Sequence, residues 1–180
     1  MKVAVVGRGN VGGGLANRWG RAGHDVSRIG KDGGDVSDTE VVLVAVPGGA
    51  VADVLESVQG LEGKTVIDAT NLVGVEPPAG FRSNAEFVKS KTNGPTVKSF
   101  NLNFARLYDQ MDGQSPKPGN IWSGDEEARE VAEQLIRDAG YEPLYGGPLE
   151  NAGPQEQFLK IMLGMSNETG PCFYSFWSPG

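Results

Sequence analysis

Short apolar runs alternate along this chain with longer stretches whose apolar residues recur every three or four positions. Lys2–Val6 is an apolar run closed by Gly7, and its Val content predicts a buried parallel strand. Asn10–Ala22 carries Val11, Leu15, Trp19 and Ala22 on one helical face, and Gly23 stops it. His24–Ile29 reads as a second strand interrupted by Ser27 and Arg28. Residues 41–46, VVLVAV, are apolar throughout, so both faces of that strand are expected to be covered. A helix over Ala50–Val58 and a strand over Thr65–Ala69 follow.

The alternation continues in the second half. Ser83 with Glu86 forms a capping box opening a helix over Ser83–Lys91. Pro95–Phe100 and Asn120–Ser123 read as strands, and Asp125–Ala139 as a helix with Ala128, Val131, Ala132, Leu135, Ile136 and Ala139 on one face. Its acidic first turn suits the helix dipole. A strand over Tyr141–Tyr145 and a closing helix over Gln155–Met165 complete the set. Strand alternating with helix implies an α/β, doubly wound, mostly parallel sheet with helices on both faces. The segment 30–40, GKDGGDVSDTE, is short for a parallel crossover and rich in Gly and Asp. It predicts a shortened crossover after the second strand, its helix absent or one turn long. Residues 1–180 read as one domain, with 150–180 a final helix and tail. The loop-like stretches are 74–80, 112–120 and 166–180.

Composition narrows the chemistry. The 180 residues are long enough to bury a core without metal or disulfide staples. The one Cys (Cys172) excludes an internal disulfide, and the one His (His24) excludes a multi-His metal centre. Net charge −7 without a basic stretch argues against nucleic acid and anionic membranes as partners. No apolar run is long enough to span a bilayer, and MKVAVVG lacks the features of a signal peptide. A reducing, cytoplasmic setting is expected.

The 27 Gly are more than composition alone explains. GRGNVG at 7–12 fits G-x-G-x-x-G after a strand and at the start of a helix, the context the motif requires. Gly7 permits the tight turn, Gly9 lets backbone approach a pyrophosphate, and Gly12 lets helix and strand pack closely. The helix N-terminus offers free N–H groups to phosphates. At the tip of the second strand an NAD site needs an acid. Here stand Gly30 and Lys31, with Arg28 nearby, which favours a 2′-phosphate and hence NADP; Asp32 pulls the other way.

Larger stretches carry a family resemblance. GRGNVGGGLANRWGRAGHDV resembles the opening of many dinucleotide enzymes, including pyrroline-carboxylate reductases and 6-phosphogluconate-type dehydrogenases. VIDATNLV, SNAEFV, TVKSFN and GDEEAREVAEQLIRDAGYEPLYGGPLENA resemble the NADPH-dependent coenzyme F420 reductases, and the related ferric-reductase cytoplasmic domains share much of the pattern. The resemblance covers nearly the whole chain. It implies a Rossmann sheet and an oxidoreductase that passes a hydride between NADP and a deazaflavin or flavin-like acceptor. The chemistry then belongs to the cofactors, and the protein orients them. No catalytic side chain and no metal ligand are expected.

By position, the resemblance implies that Gly7, Arg8, Gly9, Asn10 and Val11 form the pyrophosphate loop. Gly30 and Lys31 fall where the family often has Ser-Arg; Ser27-Arg28 spells that dipeptide slightly earlier. Val46, Pro47 and Gly48 close the central strand where such sheets place ligands. Ala69, Thr70 and Asn71 end the next strand beside the nicotinamide ribose, and Asn101 faces the same crevice. Plainer roles stand beside these. Pro47 suits a strand terminator, Asn71 and Asn101 suit helix caps, Lys98 suits a surface charge at an edge, and Phe100 suits the core. Leu72 and Pro77-Pro78 depart from the family pattern in the loop 72–82, on the acceptor side. Phe173, Tyr174, Phe176 and Trp177 suit an acceptor pocket, a homodimer interface, or packing over the sheet end. Two other functions remain open: a dinucleotide-binding sensor without turnover, and an imine or keto-acid reductase, for which Lys98 and Tyr108 are the candidate proton donors.

Overall fold

The structure is a computed structural model and describes residues 1–176. Among the described residues nine strands and five α-helices follow in chain order: β1 (Lys2–Val6), α1 (Asn10–Arg21), β2 (Asp25–Ile29), β3 (Gly34–Asp35), β4 (Val41–Val44), α2 (Val51–Ser57), β5 (Val58–Gln59), β6 (Thr65–Asp68), α3 (Asn84–Thr92), β7 (Thr96–Lys98), β8 (Gly119–Gly124), α4 (Arg129–Asp138), β9 (Glu142–Tyr145) and α5 (Ala152–Thr169). Seven of the strands form one sheet in the order β2-β1-β4-β6-β7-β8-β9. Every pairing in it is parallel except β7 with β8.

The two faces of that sheet explain the apolar runs. Val3, Val5, Val41, Leu43 and Ile67 face a core completed by Leu15 and Trp19 of α1 and by Ala132, Leu135 and Ile136 of α4. Ala4, Val6, Val42, Val44 and Val66 face a second core completed by Val51 and Leu55 of α2 and Phe87 and Val88 of α3. Alternate residues serve opposite layers, so β4 buries all four of its side chains. Trp19 Nε1 donates to Leu135 O at 2.8 Å, fastening α1 to α4.

The shortened crossover is present. No helix joins β2 to β4; β3 instead pairs with β5 in a two-stranded ribbon. Val36 then drops into the second core. Capping of α3 follows the box in part: Ser83 Oγ accepts from Glu86 N at 3.2 Å, while the Glu86 carboxylate reaches the amide of Arg82 rather than that of Ser83. The last helix is longer than the apolar spacing implied. It starts at Ala152 and runs through Thr169, so part of the stretch expected to be loop after 165 is helical. Among the described residues, no helix is long and apolar enough to cross a membrane.

Chain order sets the position of the site. From β1 the chain moves outward to β2, then returns to lay β4 on the other side of β1. Loops leaving β1 and β4 therefore diverge, and a crevice opens at the carboxyl ends of those strands.

Candidate functional site

That crevice is a cleft of about 640 Å³. Three segments wall it: Gly9, Asn10 and Val11 after β1; Val46, Pro47 and Gly48 after β4; and Ala69, Thr70 and Asn71 after β6. Nine of the expected site residues thus meet around one space. The glycines differ in what holds them there. Gly7 has φ +113°, and a Cβ on it would run into the carbonyl of Ala45. A Cβ on Gly12 would strike the Gly7 carbonyl, so helix and strand touch backbone to backbone. A Cβ on Gly9 would meet nothing within 4 Å, which leaves its backbone open to whatever enters the cleft.

The start of α1 fits an anionic ligand. Its N-cap is Gly9, no side chain caps it, and no acid stands in its first turn. Its first amides keep their hydrogen-bonding capacity for phosphate oxygens. At the end of β2, Arg8 lies against Gly30: Nη2 donates to Arg28 O at 3.3 Å, and a Cβ on Gly30 would sit 3.1 Å from Arg8 Cζ. Lys31 is exposed in the same turn. The side chain of Arg28 points elsewhere, back along α1, where Nη2 donates to Asn17 Oδ1 at 2.6 Å.

Several plainer readings are corrected. Pro47 does not terminate β4, which ends at Val44; it stands in the cleft wall. Asn71 and Asn101 cap no helix. Asn71 Nδ2 donates to Asn101 O at 2.9 Å, and Asn101 Nδ2 returns a bond to Asn71 Oδ1 at 3.0 Å. Asn101 is buried behind Asn71 and receives Gln155 Nε2 at 2.8 Å, so it braces the cleft rather than facing it. Phe100 is in the core, as its residue type suggests. Tyr108 is no proton donor to the cleft: its ring covers Gly14, and its hydroxyl is buried without a partner among the described residues. Burial pushes that hydroxyl's pKa up.

Lys98 is the largest correction. It is not a surface charge: none of it is exposed. β7 lies between β6 and β8, so even its polar positions are covered. The Lys98 ammonium donates to Asp68 Oδ2 at 2.9 Å, to Glu156 Oε1 at 2.6 Å and to Thr70 O at 2.5 Å. Asp68 Oδ1 in turn accepts the Thr70 N–H at 2.9 Å. Burial raises the Glu156 pKa above its ordinary value; Lys98 opposes this and the Asp68 charge adds to it.

Sequence reasoning missed other parts of the site. Asn84 is fully buried and donates to Gly48 O at 3.0 Å and to Thr70 Oγ1 at 2.9 Å, tying two cleft loops to α3. Asp53 of α2 also lines the cleft. Beyond the loop 72–77 lies a second hollow of about 510 Å³, reached by Glu156, Gln157 and Lys160 of α5 and by Glu76 and Arg82. Val75 borders both spaces. The aromatic tail divides: Phe173 packs on the first core, and Tyr174 Oη accepts the Ile121 amide at 3.1 Å. Phe176 is exposed, as are Ile161, Leu163 and Met165 of α5. Trp177 lies outside the described residues.

A protein from Arthrobacter sp. FB24 assigned as an F420-dependent NADP reductase superposes with a TM-score of 0.78, over 100% of both chains, at 20% identity. The chain has a Rossmann fold. Hypothetical protein SMa0349 from Sinorhizobium meliloti gives a TM-score of 0.71 at 25% identity, covering 88% of this chain and 90% of that one. A reductive aminase from Aspergillus terreus, in complex with NADPH and ethyl levulinate, gives 0.68 at 15% identity and covers 94% of this chain but 62% of that one. No protein-family model and no curated protein matches the chain.

Proposed function

We propose that this Rossmann chain is an NADP-dependent oxidoreductase that passes a hydride between nicotinamide and a deazaflavin of the coenzyme F420 type. The observation that carries the reading is the convergence of the open Gly9 backbone, the uncapped start of α1 and the 69–71 turn on one cleft. NADPH bound there supplies a hydride from C4 of its nicotinamide. The first amides of α1 hold the pyrophosphate. Arg8, whose guanidinium lies over Gly30, and Lys31 supply positive charge beside the adenosine ribose, where a 2′-phosphate would sit. Thr70 and Asn71, braced by Lys98 and Asn101, fix the wall against which the nicotinamide end rests. Holding the two reacting carbons in contact removes much of the entropic part of the barrier.

The test is anaerobic mixing of the protein with NADPH and coenzyme F420, following the deazaflavin's visible absorbance, with NADH in parallel. Protein-dependent bleaching that prefers NADPH is expected. NADPH binding without bleaching would remove the deazaflavin and favour a sensor. A second reading, reduction of an imine, draws on the buried acid at Glu156 beside the second hollow.

A further inference from the structure

Asp68, Lys98 and Glu156 form a charge cluster cut off from water on nearly every side: the three side chains are 0%, 0% and 5% exposed. With both carboxylates ionised, one ammonium leaves the cluster with an uncompensated negative charge. A buried group in that state takes up a proton. Asp68 accepts from Lys98 and from the Thr70 amide and has no face on the hollow. Glu156 alone of the two carboxylates borders the 510 Å³ space. Glu156, which opens on the hollow, is therefore the carboxylate placed to take up that proton, and burial raises its pKa. Glu156 is also two hydrogen bonds from the cleft, through Lys98 Nζ to the carbonyl of Thr70.

We propose that Glu156 is the acid that gives the proton accompanying the hydride to an acceptor C=N bond held in this second hollow. The proposal rests on the oxidoreductase reading above and names the chemistry of its acceptor. A C–H bond of the reduced nicotinamide breaks, and its electron pair forms a C–H bond at the acceptor carbon. The C=N π pair moves to nitrogen, which takes the proton from the Glu156 carboxyl. The dinucleotide leaves oxidised, and Glu156 is left as a carboxylate against the Lys98 ammonium, which stabilises it. Solvent in the hollow returns the proton. In a simple imine the hydride enters at the C=N carbon itself; in a deazaflavin it enters at C5 and the conjugated π pairs shift onto the ring nitrogen, so both acceptors need the proton at nitrogen. The groups that set the proton's affinity are Lys98 of β7, Asp68 of β6, the Asn84 amide of α3, and Glu76, Arg82 and Lys160 around the hollow.

The experiment has one readout without any dinucleotide. Infrared spectra of the protein alone at neutral pH should show a protonated-carboxyl C=O stretch that Glu156→Gln abolishes. With NADPH, and either 1-pyrroline or coenzyme F420 as acceptor, Glu156→Gln should keep NADPH affinity and KM. Its kcat should fall about a hundredfold or more. The decline of kcat at alkaline pH should vanish with it, and Glu156→Asp should restore part of the rate. Loss with 1-pyrroline alone would assign the acid to imines, and loss with coenzyme F420 alone to deazaflavins; either supports the proposal. A wild-type spectrum without the band would overturn it. So would an unchanged kcat in Glu156→Gln, or no turnover of either acceptor by protein that binds NADPH. Wild-type protein that fails to bind NADPH overturns the reading of the cleft instead, and takes the proposal with it.

Discussion

The guanidinium of Arg8 rests on Gly30, close enough that a Cβ there would be 3.1 Å from Cζ. A residue from the glycine loop thus brings charge to the tip of β2, where the Arg28 side chain turns away toward Asn17. In the proposed site Arg8 favours a 2′-phosphate through charge-assisted hydrogen bonds. Arg8→Ala should weaken NADPH binding about tenfold, a little over 1 kcal/mol for an exposed pair, and leave NADH binding unchanged. Titration of both cofactors by fluorescence checks this. An equal loss for the two would assign Arg8 to the pyrophosphate.

Gly9 and Gly12 separate ligand approach from packing. Gly9→Leu places its side chain in open space in the free protein. It should cost no more than about 1 kcal/mol of stability, as an N-cap change. Calorimetric titration should nevertheless show no NADPH binding. Gly12→Ala forces its methyl against the Gly7 carbonyl and should cost about 1–3 kcal/mol, the range of an overpacked site. Retained NADPH affinity in Gly9→Leu would sink the assignment of the cleft.

The strands, the glycine loop and the missing crossover helix were legible because their signals are local. An apolar run, a G-x-G-x-x-G after a strand and an Asp/Gly-rich segment can each be read without knowing what lies across the sheet. The buried cluster was not legible. Asp68, Lys98 and Glu156 come from three separate elements, and only the sheet order reveals that β7 is covered on both sides. A lysine in PTVKSF looks like an edge charge until β8 is placed antiparallel beside it. Asn71 and Asn101 suit helix caps by residue type, and their mutual hydrogen bonds appear only once β6 and β7 are adjacent.

Asn84 ties two walls of the cleft together. One amide group bridges the loop after β4 and the turn after β6, through Gly48 O and Thr70 Oγ1. Asn84→Ala removes both bonds and leaves the half-buried Gly48 carbonyl and the buried Thr70 hydroxyl without that donor. The cost should be about 1–3 kcal/mol in denaturant unfolding. Because both loops wall the cleft, NADPH affinity should drop as well. Lost stability with unchanged affinity would show that the loops hold their positions without this bridge.

The raised pKa of Glu156 makes a prediction about stability with a definite sign. Burial is the main cause, and the neighbouring Asp68 carboxylate adds to it. The folded protein then holds this proton more tightly than the unfolded chain, whose glutamates titrate near 4.5. The group's contribution is fully present below that value and is lost as pH rises through the folded pKa. Asp112 and Glu126 run the other way: their arginine partners lower their pKa values, so what they contribute is lost on acidification. The pH profile of the wild type therefore mixes both signs, and only a difference isolates Glu156. Glu156→Gln carries no titrating proton at this position. Denaturant unfolding of both proteins across a pH series should show the variant gaining on the wild type as pH rises above 4.5. A gap that stays flat across that range would mean that Glu156 titrates in the fold as it does in the open chain, and that the buried cluster holds its excess charge without a proton.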